Sequence, residues 1–143
     1  MVEHELEKSF MYWVGLASHL FAVSFNSELS GTGLTYRQAQ VLICLEAQGE
    51  MTQNELAAQL QIKPPTIVPI LDRMEKDGWI KRLSSAKDRR KKIVQQTKKA
   101  ASARKMFIEI GMRIEKQASK NINKSQLNTM RELLKGICKN LGP

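Results

Sequence analysis

Apolar residues recur along this chain at helical intervals, separated by short polar or glycine-containing breaks. From about Glu5 to Leu29, a stripe of Leu6, Phe10, Trp13, Ala17, Leu20, Phe21 and Ser24 predicts a first helix, ended by Ser30-Gly-Thr-Gly33. Thr35 with Gln38 has capping-box spacing and opens a second helix. That helix turns Val41, Leu42 and Leu45 inward and stops near Gly49. Thr52 with Glu55 repeats the box before a short helix, Gln53 to Leu60, which buries Leu56, Ala57 and Leu60. Beyond the tight Ile62-Lys-Pro-Pro connection, Ile67, Ile70, Leu71 and Met74 follow the i, i+3, i+4, i+7 pattern. Gly78 stops that helix.

Two short runs, Trp79-Ile-Lys-Arg-Leu83 and Ile93-Val-Gln-Gln-Thr97, predict the strands of a hairpin. A long helix follows from about Lys98 to Asn121, with Phe107, Ile110, Ile114 and Ala118 as its stripe. Asn123 with Gln126 caps a last helix. Its Leu127, Met130, Leu134, Ile137 and Leu141 have the heptad-like spacing of a helix that packs on another helix. The order predicts a mostly α (α+β) fold in one domain of 143 residues. Residues 34–100 form a winged helix-turn-helix lobe, flanked by helices over 1–30 and 101–143. Those outer stripes exceed what so small a lobe can cover, so a second copy is the economical partner and a homodimer is expected.

Charge sharpens the picture. The chain carries a net +9, and the window from Lys63 to Lys105 alone holds 14 Lys/Arg against 4 Asp/Glu. The positive charge is therefore a local footprint, suited to a polyanion. Lys81, Arg82, Lys87, Arg89, Arg90, Lys91 and Lys92 oppose only Asp88 on the hairpin. A charge run by itself is a solvated face. Placed on a hairpin tip directly after a helix-turn-helix, it predicts a wing that tracks the phosphates of double-stranded DNA.

Other classes find less support. There is no Ser/His/Asp arrangement, metal spacing or phosphate-cradling glycine loop, and the two histidines, His4 and His19, read as solvated or satisfied. No enzyme activity and no cofactor are expected. The acidic start does not resemble a signal peptide, and no apolar run is long enough for a membrane helix, so a cytoplasmic protein is expected. Cys44 reads as a buried structural thiol, and Cys138 lies beside the last heptad stripe.

Three segments carry a resemblance: Leu34-Thr-Tyr-Arg-Gln-Ala-Gln-Val-Leu42, Thr52-Gln-Asn-Glu-Leu-Ala57 and Leu71-Asp-Arg-Met-Glu-Lys-Asp-Gly-Trp-Ile80. With Asp88-Arg-Arg90 followed by Thr97, they resemble the MarR family of bacterial transcription regulators. Ile62-Lys-Pro-Pro-Thr-Ile-Val68 and Thr97-Lys-Lys-Ala100 resemble its SlyA-like branch. Three positions depart from the family pattern: Pro69 replaces a frequent arginine, Gln96 a leucine and Ala100 a common glycine.

The resemblance implies a repressor-type regulator acting as a homodimer on a pseudo-palindromic operator. Pro65, Thr66 and Val68 would face base edges, where their methyl and methylene groups suit thymine methyls, with Pro69 and Arg73 on the same helix. Arg90 would enter the minor groove. Lys87, Arg89, Lys91 and Lys92 would contact phosphates. Asp88 would brace the wing by pairing with Arg82 or Arg90. The resemblance also implies a small aromatic effector, with His19, Ala39 and Ile43 as pocket residues by position; simple packing is the competing reading of all three.

Pro69 leaves two geometries open. A helix starting at Pro64 would lose the bond to the carbonyl of Pro65 and need a local distortion. Otherwise the helix starts later, with Thr66 as cap. The alternative function is a winged-helix protein-interaction module without specific DNA readout, for which Pro69 is the main support.

Overall fold

The computed structural model describes residues 5–142; His4 lies outside them. The elements are α1 (Phe10–Glu28), α2 (Tyr36–Gln48), β1 (Met51–Thr52), α3 (Gln53–Gln59), α4 (Pro64–Lys76), β2 (Ile80–Ser84), β3 (Lys92–Gln96), α5 (Lys98–Ala118) and α6 (Lys124–Leu141). This is the expected helix-rich winged helix-turn-helix.

Local signals set the boundaries. Capping boxes form at Thr35/Gln38, Thr52/Glu55 and Asn123/Gln126, each with the side chain and backbone bonds exchanged. The long first helix starts later than its apolar stripe suggests: Ser9 is the N-cap, and Leu6 lies outside α1. At the other end of the lobe, α5 stops at Ala118, and Asn121 turns the chain with a φ of 64°. Asparagine tolerates this left-handed conformation better than most side chains.

One sheet element goes beyond the hairpin that the sequence predicts. Met51 and Thr52 pair with Val94 and Ile93, so the antiparallel sheet has three strands in the order β1-β3-β2. The hairpin ladder runs from Ile80↔Gln96 to Ser84↔Lys92. Both strands thus begin and end one residue away from their predicted bounds, and Lys92 belongs to the ladder instead of the tip.

The core joins Val41, Leu42 and Leu45 of α2, Leu56 and Ala57 of α3, Ile67, Leu71 and Met74 of α4, and Ile80 and Val94 of the sheet. Ala103, Phe107, Ile110 and Ile114 of α5 join it, as do Leu29 and Leu34 before α2, whereas Ala118 is exposed. In contrast, α1 and α6 bury no side chain. Phe10, Trp13, Leu20 and Phe21 lie open on α1, as do Met130, Leu133, Leu134 and Leu141 on α6. The core of the lobe is closed by α5, whereas α1 and α6 carry apolar faces that this chain alone does not cover.

Candidate nucleic-acid interface

The turn between α3 and α4 follows from its sequence. Leu60 ends α3, and Gln61 adopts a φ of 54°. The Gln61 N–H donates to Ala58 O at 3.1 Å and the Ile62 N–H to Ala57 O at 3.0 Å. These paired bonds are a Schellman closure with glutamine where glycine is usual. Lys63 then caps α4 through its backbone, and Pro64 and Pro65 fill its first two positions, where no donor is needed.

α4 continues unbroken through Pro69. The late start with Thr66 as cap is therefore not adopted. The buried side of α4 is Ile67, Leu71 and Met74, with Ile70 half-buried. Its open side is Pro65, Thr66, Val68, Pro69, Asp72 and Arg73. At its far end, Gly78 takes a φ of 81°; its N–H donates to Glu75 O and that of Trp79 to Met74 O. Lys99 adds a second lock there: its Nζ donates to Asp77 O at 2.7 Å and lies 4.2 Å from the Trp79 ring centroid. Thr97 Oγ1 donates to Gly78 O at 2.7 Å, tying the start of α5 to the same corner.

Three charged side chains of α4, Asp72, Arg73 and Glu75, are engaged at its C-terminal half and the wing base. Arg73 Nε lies 3.4 Å from Asp77 Oδ2. Asp72 and Glu75 both receive Arg82 of β2: Nη2 donates to Asp72 Oδ1 at 2.6 Å and to Glu75 Oε1 at 3.0 Å. The Arg82 backbone N–H donates to Glu75 Oε2 at 2.9 Å, and its Nη1 to Gln53 Oε1 on α3 at 3.0 Å. Only 17% of the Arg82 side chain is exposed. Partial burial pulls its pKa down, but the hydrogen bonds to Glu75 and Asp72 outweigh that and hold it above the ordinary arginine value. Reciprocally, the Arg82 hydrogen bonds hold Glu75 below the usual glutamate value, against desolvation. The charge pattern alone puts Arg82 in the free cationic run; in the fold it fastens the wing to the helix-turn-helix instead. The signal available was Asp72 and Glu75, spaced to share one face of α4.

At the wing tip, Ser85 N–H donates to Lys91 O at 2.9 Å and Lys91 N–H to Asp88 O at 3.0 Å. Asp88 Oδ1 accepts the Arg90 backbone N–H at 3.0 Å. Asp88 thus braces the wing, but through an Asx-type turn and not by pairing with the guanidinium of Arg82 or Arg90. Arg82 is already taken by α4, which explains the difference. Lys87, Arg89, Arg90, Lys91 and Lys92 are all open to solvent at or beside the tip. Lys92 Nζ donates to Ser84 Oγ across the hairpin at 3.2 Å. The wing tip and the first turns of α4 are therefore open surfaces joined through Arg82.

Of the three positions suggested for an effector, Ile43 lines a cavity. The cavity, about 330 Å³, lies between α2, β3 and α5, with Leu42, Phe107 and Ile108 as apolar lining and Glu46, Gln96 and Arg104 as its polar groups. Gln96 Nε2 donates to Glu46 Oε2 at 3.2 Å, and Arg104 Nε lies 3.4 Å from Glu46 Oε1. Ala39 is wholly within the core, and His19 is exposed on α1. Cys44 is half-buried with its Sγ 3.8 Å from Met51 Sδ, and burial raises its pKa. Cys138 is exposed. Among the described residues no helix is long and apolar enough to cross a membrane, and no cluster of His, Cys, Asp and Glu could hold a metal ion.

Comparison with known proteins agrees with this geometry. The MarR family pattern matches residues 34–92, from just before α2 to the start of β3. The chain is 32% identical over 109 residues to the uncharacterized HTH-type transcriptional regulator YwoH of Bacillus subtilis, covering 76% of this chain and 77% of that one. It is 30% identical over 113 residues to the multiple antibiotic resistance protein MarR of Salmonella typhimurium, covering 78% of each. In fold it is similar to MepR of S. aureus in a MepR–DNA complex, with a TM-score of 0.84, 24% identity, and coverage of 93% and 98% of the two chains. The chain belongs to the MarR family and is a DNA-binding transcription regulator of the winged helix-turn-helix type.

Proposed function

We propose that the chain works as a homodimer on a pseudo-palindromic operator and represses transcription until a small ligand binds. The observation that carries this reading is the pairing of two open surfaces, the first turns of α4 and the cationic wing tip, through the Arg82 clamp. One enters the major groove while the other follows the adjacent backbone and minor groove. Within it, Pro65, Thr66, Val68 and Pro69 face the bases, and Arg73 sits at the groove edge. Arg90 reaches the minor groove. Lys87, Arg89, Lys91 and Lys92 contact phosphates, and Asp88 shapes the tip.

The dimer rests on residues 1–30 and 101–143, and the DNA lobe on 34–100. Support comes from the uncovered apolar faces of α1 and α6. A two-fold dimer places two recognition helices about 34 Å apart, one helical turn of DNA, and so reads an inverted repeat. The cavity beside Ile43 supports ligand response, because Gln96 at its edge belongs to wing strand β3. A small aromatic molecule is the class proposed, and the cytoplasm is the proposed compartment. Ile62–Val68 and Thr97–Ala100 favour the SlyA-like branch within the family.

Selection from a random duplex pool with the full chain tests the reading. Enrichment of an inverted repeat with half-sites one turn apart is the expected result. A pool that stays random after repeated rounds would point to a protein-interaction module.

A further inference from the structure

The first two turns of α4 carry almost no hydrogen-bonding capacity towards a groove. Pro64, Pro65 and Pro69 have no backbone N–H. Val68 is an aliphatic side chain with 38% of its surface open. Thr66 holds the single polar side chain there, and its backbone N–H is spent on Lys63 O at 2.8 Å. In the next turn Asp72 and Glu75 are engaged by Arg82, and Arg73, at the groove edge, lies beside Asp77.

A base pair shows the major groove a pattern of donors, acceptors and, on thymine, a C5-methyl group. Of the open side chains there, Pro65, Val68 and Pro69 cannot sense the donors and acceptors, and Thr66 offers one hydroxyl. The apolar three can sense the methyl, because burying apolar surface against it is favourable whatever the rest of the base. We infer that α4 reads its operator chiefly by pyrimidine C5-methyl groups, so that at the contacted steps thymine is favoured over uracil and 5-methylcytosine over cytosine. This rests on the proposed operator reading and deepens it: Val68 is the specificity-determining residue, flanked by Pro65 and Pro69.

The size of the effect follows from the methyl group. One buried methyl is worth roughly fourfold in affinity, and two about 16-fold. A donor-based contact would not respond to the methyl alone.

The test uses the duplex enriched from the random pool, made in four forms. One is unaltered, one carries deoxyuridine for half-site thymines, and two carry 5-methylcytosine·guanine or unmethylated cytosine·guanine at the thymine positions where deoxyuridine weakens binding. Binding of the full chain should fall about fourfold for each contacted thymine replaced by uracil. The 5-methylcytosine form should bind better than its unmethylated cytosine counterpart by the same factor. In Val68→Ala the thymine-to-uracil ratio should shrink towards one. Because the ratio is taken within one protein, loss of folded fraction cancels. Equal binding of the thymine and uracil duplexes would overturn the inference while leaving a sequence-specific regulator in place. A ratio unchanged in Val68→Ala would overturn Val68 as the specificity-determining residue. Failure to enrich any duplex would remove both the inference and the operator reading beneath it.

Discussion

Arg82 and Glu75 join the wing to the recognition helix by three bonds. The Arg82 backbone N–H meets Glu75 Oε2 at 2.9 Å, its Nη2 meets Oε1 at 3.0 Å, and its Nε meets the same oxygen at 3.3 Å. The wing angle relative to α4 is therefore set by side-chain chemistry at the base of the hairpin. Arg82→Ala should cost about 1 kcal/mol of stability, since the carboxylates are partly open to water. It should cost more in binding, about 1–3 kcal/mol, because the wing loses its placement and two acidic groups are freed near DNA. Arg82→Lys should rescue little, for an ammonium cannot make the forked contact. Thermal melts and binding isotherms check this; unchanged affinity in Arg82→Ala would mean the wing is placed by its ladder alone.

The same pair predicts a pH dependence. Glu75 is held below the ordinary glutamate value by Arg82, so the folded state binds its proton less readily than the unfolded chain. Its contribution is present above the unfolded pKa and is lost as pH falls through the folded one. Acid denaturation of the wild type should therefore be steeper than that of Glu75→Gln, with the curves converging at low pH. Parallel curves across the acid range would contradict the linkage.

Much of this was legible in the sequence. Capping pairs such as Thr52/Glu55 announce themselves by spacing, and the i, i+3, i+4, i+7 run of α4 identifies its buried side. β1 was not legible: two residues have no periodicity, and Thr52 belongs to the strand while capping α3. The role of Arg82 was hidden because a charge count cannot tell a paired cation from a free one. Asp88 keeps its bracing role with a different partner, since an Asx-type turn depends on the local backbone path and not on composition. The effector positions rest on likeness along the chain, and burial separates them: Ala39 is sealed in the core while Ile43 meets the cavity.

Pro69 lies within α4 on its open side. Its ring removes one helical donor there, at a typical cost of about 3 kcal/mol relative to alanine in a regular helix. Pro69→Arg should raise the melting temperature and add one cation per subunit to the reading surface. The salt dependence of DNA binding should then steepen by ~1 for each added phosphate contact. A slope equal to that of the wild type would place position 69 away from DNA.

The apolar faces of α1 and α6 predict an assembly. Light scattering at micromolar concentration should give twice the 16.2 kDa chain mass. Leu134→Glu, which places a charge on the open stripe of α6, should yield monomers with lowered operator affinity. A wild-type monomer under these conditions would contradict the dimer.

We propose that the cationic wing and α4 together form the DNA-binding surface. The most direct measurement is the affinity of the full chain for its selected duplex as a function of salt. With about 6–10 phosphates engaged, log affinity should fall linearly with log salt, a drop of ~10³–10⁵ between about 50 and 200 mM. Alanine at Lys87 or Lys91 should lower the slope by ~1 for each phosphate that the variant no longer neutralises. A flat salt response, with the same slope in those variants, would mean that this surface does not bind DNA.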